Sequence, residues 1–145
     1  MAYAPDDGAY CHMGVAMDHT ADFTALGTAL QGDTRIAVIL ADGTGHIRFW
    51  NAGAEQLFGH SAAEVAGQRI DIVVPPAYRD MHWAGFNRTI GAAWNGHDAF
   101  GPIEGLHKSG AAVELQVLLT PLRDAAGLVE AVLAIFRRAP GSPAT

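Results

Sequence analysis

Residues 111–122, AAVELQVLLTPL, alternate with a period of two. Val113, Leu115, Val117 and Leu119 fall on one face, and Glu114, Gln116 and Thr120 on the other. Such a strand has one face to bury and one to leave outside, so its sheet is antiparallel and covered on one side. A second strand follows at LVEAVLAIFRR (128–138), after the turn RDAAG. Upstream, RIAVILADGTGHIRFWN (35–51) reads as two short strands about ADGTG, a hairpin with Asp-Gly turn chemistry. HDAFGPIEGLHKSG (97–110) adds a strand interrupted by Gly and Pro. Between the hairpin and these strands lie helical signals. NAGAEQLFG (51–59) is a short helix stopped by Gly59, and SAAEVAG (61–67) opens on an S-x-x-E capping box and ends at Gly67. IDIVVPP (70–76) is an apolar connector, with Pro76 suited to the first turn of a longer helix over 77–93.

The expected architecture is α+β: a five-stranded antiparallel sheet with short helices and one longer helix on one face. MDHTADFTALGTALQG (17–32) places Phe23, Leu26 and Leu30 at helical spacing. It is expected as a flanking helix over 18–30, capped by Asp18 or Thr20 and ended by Gly32. The 145 residues suffice for one domain, expected over 17–138, with a loose arm at 1–16 and a tail at 139–145. The cup between helices and sheet leaves room for a small ligand.

Several function classes are disfavoured. A net charge of −6 with no Lys or Arg run argues against nucleic acid or an anionic membrane as partner. The longest apolar run, AAGLVEAVLAIF, contains Glu130 and is too short to cross a bilayer, and the N-terminus is acidic where a secretion signal is basic. Cys11 is the single cysteine, so neither a disulfide framework nor a Cys-based zinc site is expected, in keeping with a cytoplasmic location. G-x-x-x-x-G-K-[ST], H-E-x-x-H, C-x-x-C and G-x-S-x-G are all missing from the sequence, and a binding module rather than an enzyme is expected.

ADGTGHIRFWNAGAEQLFGHSAAEVAGQ resembles the N-terminal half of a PAS domain: strand, turn, strand, then N-x-A-x-x-x-x-x-G on Asn51 and Gly59. LHKSGAAVELQVLLTPLRDAAGLVEAVLAIFRR resembles that family's last two strands, with K-S-G where K-D-G is usual. The likeness covers about residues 35–138 and implies a sensory or interaction module. PPAYRDMH (75–82) is similar to the P-x-x-Y-R-x-x-H segment of the haem-binding oxygen sensors of the FixL type. The resemblance implies haem b with His82 as the iron ligand. It further implies Arg88 on a propionate, and Val117 and Leu119 as an apolar lid over a bound diatomic gas (O2, CO or NO), while Leu115 joins them in lining the pocket, as in any PAS domain. Two features depart from that type: Gly85, with Phe86 one step on, stands where an aromatic is usual, and HDAFGPIEGLHK holds neither the usual distal Arg nor Met.

A neutral imidazole facing an apolar pocket is a good iron ligand, and its binding weakens in acid. Ile103 and Phe86 complete the expected cofactor contacts. His97 and His107 are candidates for a sixth ligand or distal donor, though both also suit ordinary loop positions. Met81 is set aside as the axial ligand opposite His82, since successive helix residues sit about 100° apart and it points elsewhere on the helix. Two alternatives stay open: a cofactor-free homodimer through the 18–30 helix on the sheet's outer face, where Leu118 and AVLAIF are apolar, and a pocket for flavin or a metabolite. The photochemistry of light-oxygen-voltage (LOV) domains needs a Cys beside the flavin, and residues 12–145 contain none. Output is expected to reach a separate protein or the rest of a longer chain, through motion of 97–108 with its Gly101, Pro102 and Gly105, or of the flanking helix.

Overall fold

The computed structural model describes residues 19–141. The expected arm with Cys11, the Asp18 cap and the tail beyond 141 lie outside the described residues. The chain divides into two compact units, Met1–Leu30 and Gln31–Thr145. Helix α1 runs from His19 to Gly32.

The second unit holds the sheet. Strands β1 (Ala37–Asp42) and β2 (Ile47–Trp50) form the hairpin, and β3 (Gly101–Leu106), β4 (Ala112–Arg123) and β5 (Val129–Arg138) follow later. Their order is β2-β1-β5-β4-β3, and every pairing is antiparallel. The expected α+β architecture is the one observed. Val117 pairs with Phe136 and Ile39 with Ala134, so alternate residues of three adjacent strands share one inner face. Val113, Leu115 and Val117 are buried there, as their alternation predicts.

The hairpin turn is organised by Asp42. Its Oδ1 accepts from Thr44 N at 2.9 Å, Thr44 Oγ1 at 2.7 Å and His46 N at 3.0 Å, and Oδ2 accepts from Arg48 Nε at 2.6 Å. Partial desolvation opposes ionisation, but these donors outweigh it and hold the carboxyl well below the ordinary range.

Helix α2 (Ala52–Phe58) follows β2 directly, because Asn51 ends one element and caps the next. Asn51 is fully buried. Its Oδ1 accepts from Ala54 N at 2.9 Å, the helix cap, and from Val38 N in β1 at 2.8 Å. Its Nδ2 donates to the carbonyls of Asp33 and Ile36, both at 3.1 Å. Gly53 is pressed against the same segment: a Cβ there would lie 1.9 Å from the Ile36 carbonyl oxygen. Gly59, at φ 85°, ends α2 in the left-handed region. The expected capping box then starts α3 (Ala62–Val65), with Ser61 and Glu64 each bonding the other's backbone.

The longer helix, α4, spans Arg79–Thr89 rather than 77–93. Pro76–Tyr78 coil into a tight 3-10 turn that takes its first residues, and Gly91 at φ 80° turns the chain just past its end. Gly91 N and Ala92 O then bond Val129 O and N, so 91–92 already belong to the sheet margin. The expected strand over 97–110 pairs only at 101–106. His97 is tied by a single bond from its N to Leu119 O, 2.9 Å.

Asn51→Ala should destabilise the domain by about 3 kcal/mol, since it leaves buried amides and carbonyls unpaired. Asn51→Asp should cost a similar amount, because it keeps the acceptor but loses both donors. Chemical denaturation of the three proteins measures this, with unchanged stability as the contrary result.

Candidate functional site

A cavity of about 420 Å³ opens between the inner face of the sheet and α4. Ile39 and Ala41 of β1, Val132, Ala134 and Phe136 of β5, and Val117 and Leu119 of β4 form its floor. Ile70, Val73 and Val74 form one wall, and Ile103, Glu104 and Gly105 of β3 another. Tyr78, Met81, His82 and Phe86 face it from the 3-10 turn and α4. Tyr78, Met81 and Ile103 are 44%, 67% and 43% exposed, which places the mouth among them. Gly105 leaves room for two core side chains: a Cβ would lie 2.8 Å from Leu115 Cδ1 and 3.1 Å from Phe58 Cε1, which would have to shift.

The rotation of α4 is fixed by Trp83. Its indole occupies the space a side chain would need at Gly45, where a Cβ would lie 2.4 Å from Trp83 Cη2. Gly45 itself is at φ 84°. Trp83 Nε1 donates to Asp71 Oδ2 at 3.2 Å, and the Arg69 guanidinium sits 3.9 Å from the Trp83 ring centroid. The hairpin turn, the 69–71 segment and α4 are thereby pinned together. His82, one position back, is turned toward the cavity, with its ring 4.9 Å from Trp83 and 6.1 Å from Phe86.

His82 Nδ1 is buried and has no hydrogen-bond partner among the described residues. Burial lowers its pKa from 6.5; Asp71 opposes that shift and Arg69 adds to it. At neutral pH the ring is therefore uncharged, with a lone pair free to bond or ligate.

The structure brings together most of the residues singled out in the sequence. His82, Phe86, Ile103, Val117 and Leu119 line one cavity. Leu115 does not: it is 1% exposed and packed into the closed core beneath Gly105. Arg88 lies exposed on α4, outside the lining. His97 is also exposed and outside, its ring against Trp94 at 6.0 Å. His107 sits at the Gly59 turn with Nδ1 3.0 Å from Ser109 Oγ, away from the cavity. Met81, set aside from the helix angle alone, does line the cavity, because the apolar arc of α4 at its mouth is wide enough to include it. It shares a helix and a side with His82, so it cannot stand opposite His82 across a planar group. The lining from β1 and β5 went unforeseen, although the inner-facing positions were readable from the strand period. No cluster of three or more His, Cys, Asp or Glu suited to a metal occurs among the described residues, so an iron here would rest on His82 and the group that carries it. No helix among them is long and apolar enough to cross a membrane.

The family described as PAS fold matches residues 33–139. The chain belongs to that PAS family. A PAS domain of a protein from Colwellia psychrerythraea has the same fold, with TM-score 0.65 and 23% identity over 81% of this chain and 97% of that one. A structure of a LOV domain studied with a flavin analogue aligns with TM-score 0.58 and 22% identity, covering 87% and 89% of the two chains. The Two-component system protein A of Emericella nidulans is 48% identical over 44 residues. That stretch is 30% of this chain, which spans only 6% of the fungal protein's length.

In an NMR titration the His82 ring should change state below 6.5. The unfolded chain takes up this proton first, so the domain should lose stability as pH falls below the unfolded value, until the folded ring also titrates. Replacing His82 with Leu should remove that part of the acid dependence. A ring that titrates above the unfolded value would contradict the placement.

Proposed function

We propose that this PAS domain is a sensory module that binds a small, mainly apolar organic ligand in the cavity beneath α4, and that it acts by binding rather than by catalysis. The carrying observation is the cavity itself. Its volume lies within the roughly 300–1,000 Å³ of small-molecule sites, and an apolar floor meets a few polar groups at Tyr78, His82 and Glu104. Ligand contacts to both the sheet and α4 give occupancy a means of favouring one arrangement over another. The likeness to the Two-component system protein A supports a place in signal transduction.

The likeness to LOV structures supports a flavin as one such ligand. The site resists it in one respect. A flavin's pyrimidine edge and phosphate need several polar partners, and the lining is almost wholly aliphatic and aromatic. No cysteine occurs among the described residues to support adduct photochemistry.

A second reading, haem b, is favoured by His82. A neutral imidazole with a buried, unpartnered nitrogen suits axial ligation, and Phe86, Ile103, Val117 and Leu119 would hold the ring edges. When bound, such a group supplies an iron that can take a diatomic gas, and the apolar lining would exclude water from it.

The absorption spectrum of the purified protein, with mass spectrometry of the extract from denatured protein, separates these readings. A colourless protein that releases an organic molecule is the expected result. A yellow protein releasing flavin selects flavin, and a Soret band lost in His82→Ala selects haem. Ala134→Leu, which fills the floor, should abolish ligand uptake and the thermal stabilisation that comes with it, about 2.7 kcal/mol at a hundredfold excess over Kd. Uptake undiminished in Ala134→Leu would overturn the cavity as the site.

A further inference from the structure

Arg79 stands one turn before His82 and two turns before Phe86 on α4, at spacings of three and seven residues. Those spacings place it on the side of the helix that carries both cavity-lining rings. Its Nε donates to the Val74 carbonyl oxygen at 2.9 Å, and Val74 is itself part of the cavity wall. Its chain neighbour Tyr78 stands at the mouth. The tether spends one donor of the guanidinium and holds the group half-buried against Val74 of the wall, behind the lining rather than in it. Among the described residues the Nη groups have no hydrogen bond, and the residue takes part in none of the ion pairs, which join Arg35 to Asp33, Arg48 to Asp42 and Lys108 to Glu64. Arg88, by contrast, is exposed. A cation that is positioned but not paired, behind a mainly apolar chamber whose one acid, Glu104, stands on the β3 wall, favours a ligand with an apolar body and an anionic end directed to the α4 side. A guanidinium fork suits a carboxylate best.

We propose that Arg79 is the anchor for a carboxylate, so that the ligand of this domain is an amphipathic carboxylic acid whose body fills the cavity while its head group meets Arg79 at the rim. This rests on the cavity being the binding site. The same carboxylate chemistry is offered by a free alkyl acid and by a haem propionate, and the two are separated by experiment.

Calorimetric titration of the wild-type domain with decanoate and with decanol, at neutral pH, is the test. Decanoate should bind about tenfold more tightly than decanol, the advantage of one charge-assisted contact. Arg79→Gln should bring the two to within about twofold of each other by weakening decanoate alone, and Arg79→Lys should keep part of the preference. Thermal melting of each variant shows that the fold is retained. With haemin, Arg79→Gln should speed dissociation while the Soret position stays unchanged if the carboxylate is a propionate. No effect on haemin, with the decanoate preference lost, assigns the free acid. Equal binding of decanoate and decanol by the wild type, or equal weakening of both in Arg79→Gln, overturns the anchor and leaves the cavity standing. A wild type that takes up none of the three probes overturns the cavity and the anchor together.

Discussion

Everything that shapes the cavity begins from one buried amide. Asn51 bonds β1 through Val38 N, caps α2 through Ala54 N, and holds the 33–36 approach through two carbonyls. A side chain with only donors or only acceptors cannot serve both sets, and a larger one cannot fit at zero exposure. Because Asn51 sets the angle at which α2 leaves the hairpin, it also sets where Phe58 enters the core, against Trp50 at 5.7 Å and Phe136 at 5.3 Å. Those rings close one end of the space between helices and sheet. At the other end, Ala41 and Ala134 are too small to fill it, and the cavity remains there.

A closed, dry void of that size would be a heavy burden. At about 24 cal/mol per Å³ it would cost on the order of 10 kcal/mol, as much as the whole stability of a typical domain. The fold avoids this by leaving the chamber open past Tyr78, Met81 and Ile103. It then holds α4 in place from outside the cavity, through the contact of Trp83 with Gly45 and with Arg69 and Asp71. The helix is thus fixed by contacts that a ligand need not disturb, while the face turned inward stays free to be filled.

Much of this was written in local sequence. The hairpin follows from Asp42 and its turn, the short helices from Asn51, Ser61 and Gly59, and the inner face of β4 from its alternation. Each depends on neighbours within a few residues, so each could be read directly. The site was legible only in part, because its lining depends on the phase of α4. His82 and Phe86 were foreseen and found on the cavity. Met81, rejected as a ligand opposite His82 from the helix angle, still reaches the lining, and Arg88, taken from the resemblance, lies outside it. The decisive contact is with Gly45, thirty-eight residues before Trp83. Leu115 shows the same limit within the sheet: it shares a face with Val117 yet is packed into the closed core outside the cavity lining.

The segment 75–82 packs two unlike tasks into one turn of chain. Pro76–Tyr78 form a 3-10 turn ahead of the α-helix, so Arg79 is the helix's first residue rather than its third. At that position its side chain reaches back toward the N-terminal end, to the carbonyl of Val74. Three residues on, His82 lies deep enough to be desolvated and neutral. A permanent cation at the start of α4 and an uncharged imidazole one turn on thus follow from where the helix begins. The order of those groups dictates which end of a ligand enters first: the apolar body goes in, and the charged end stays at the mouth.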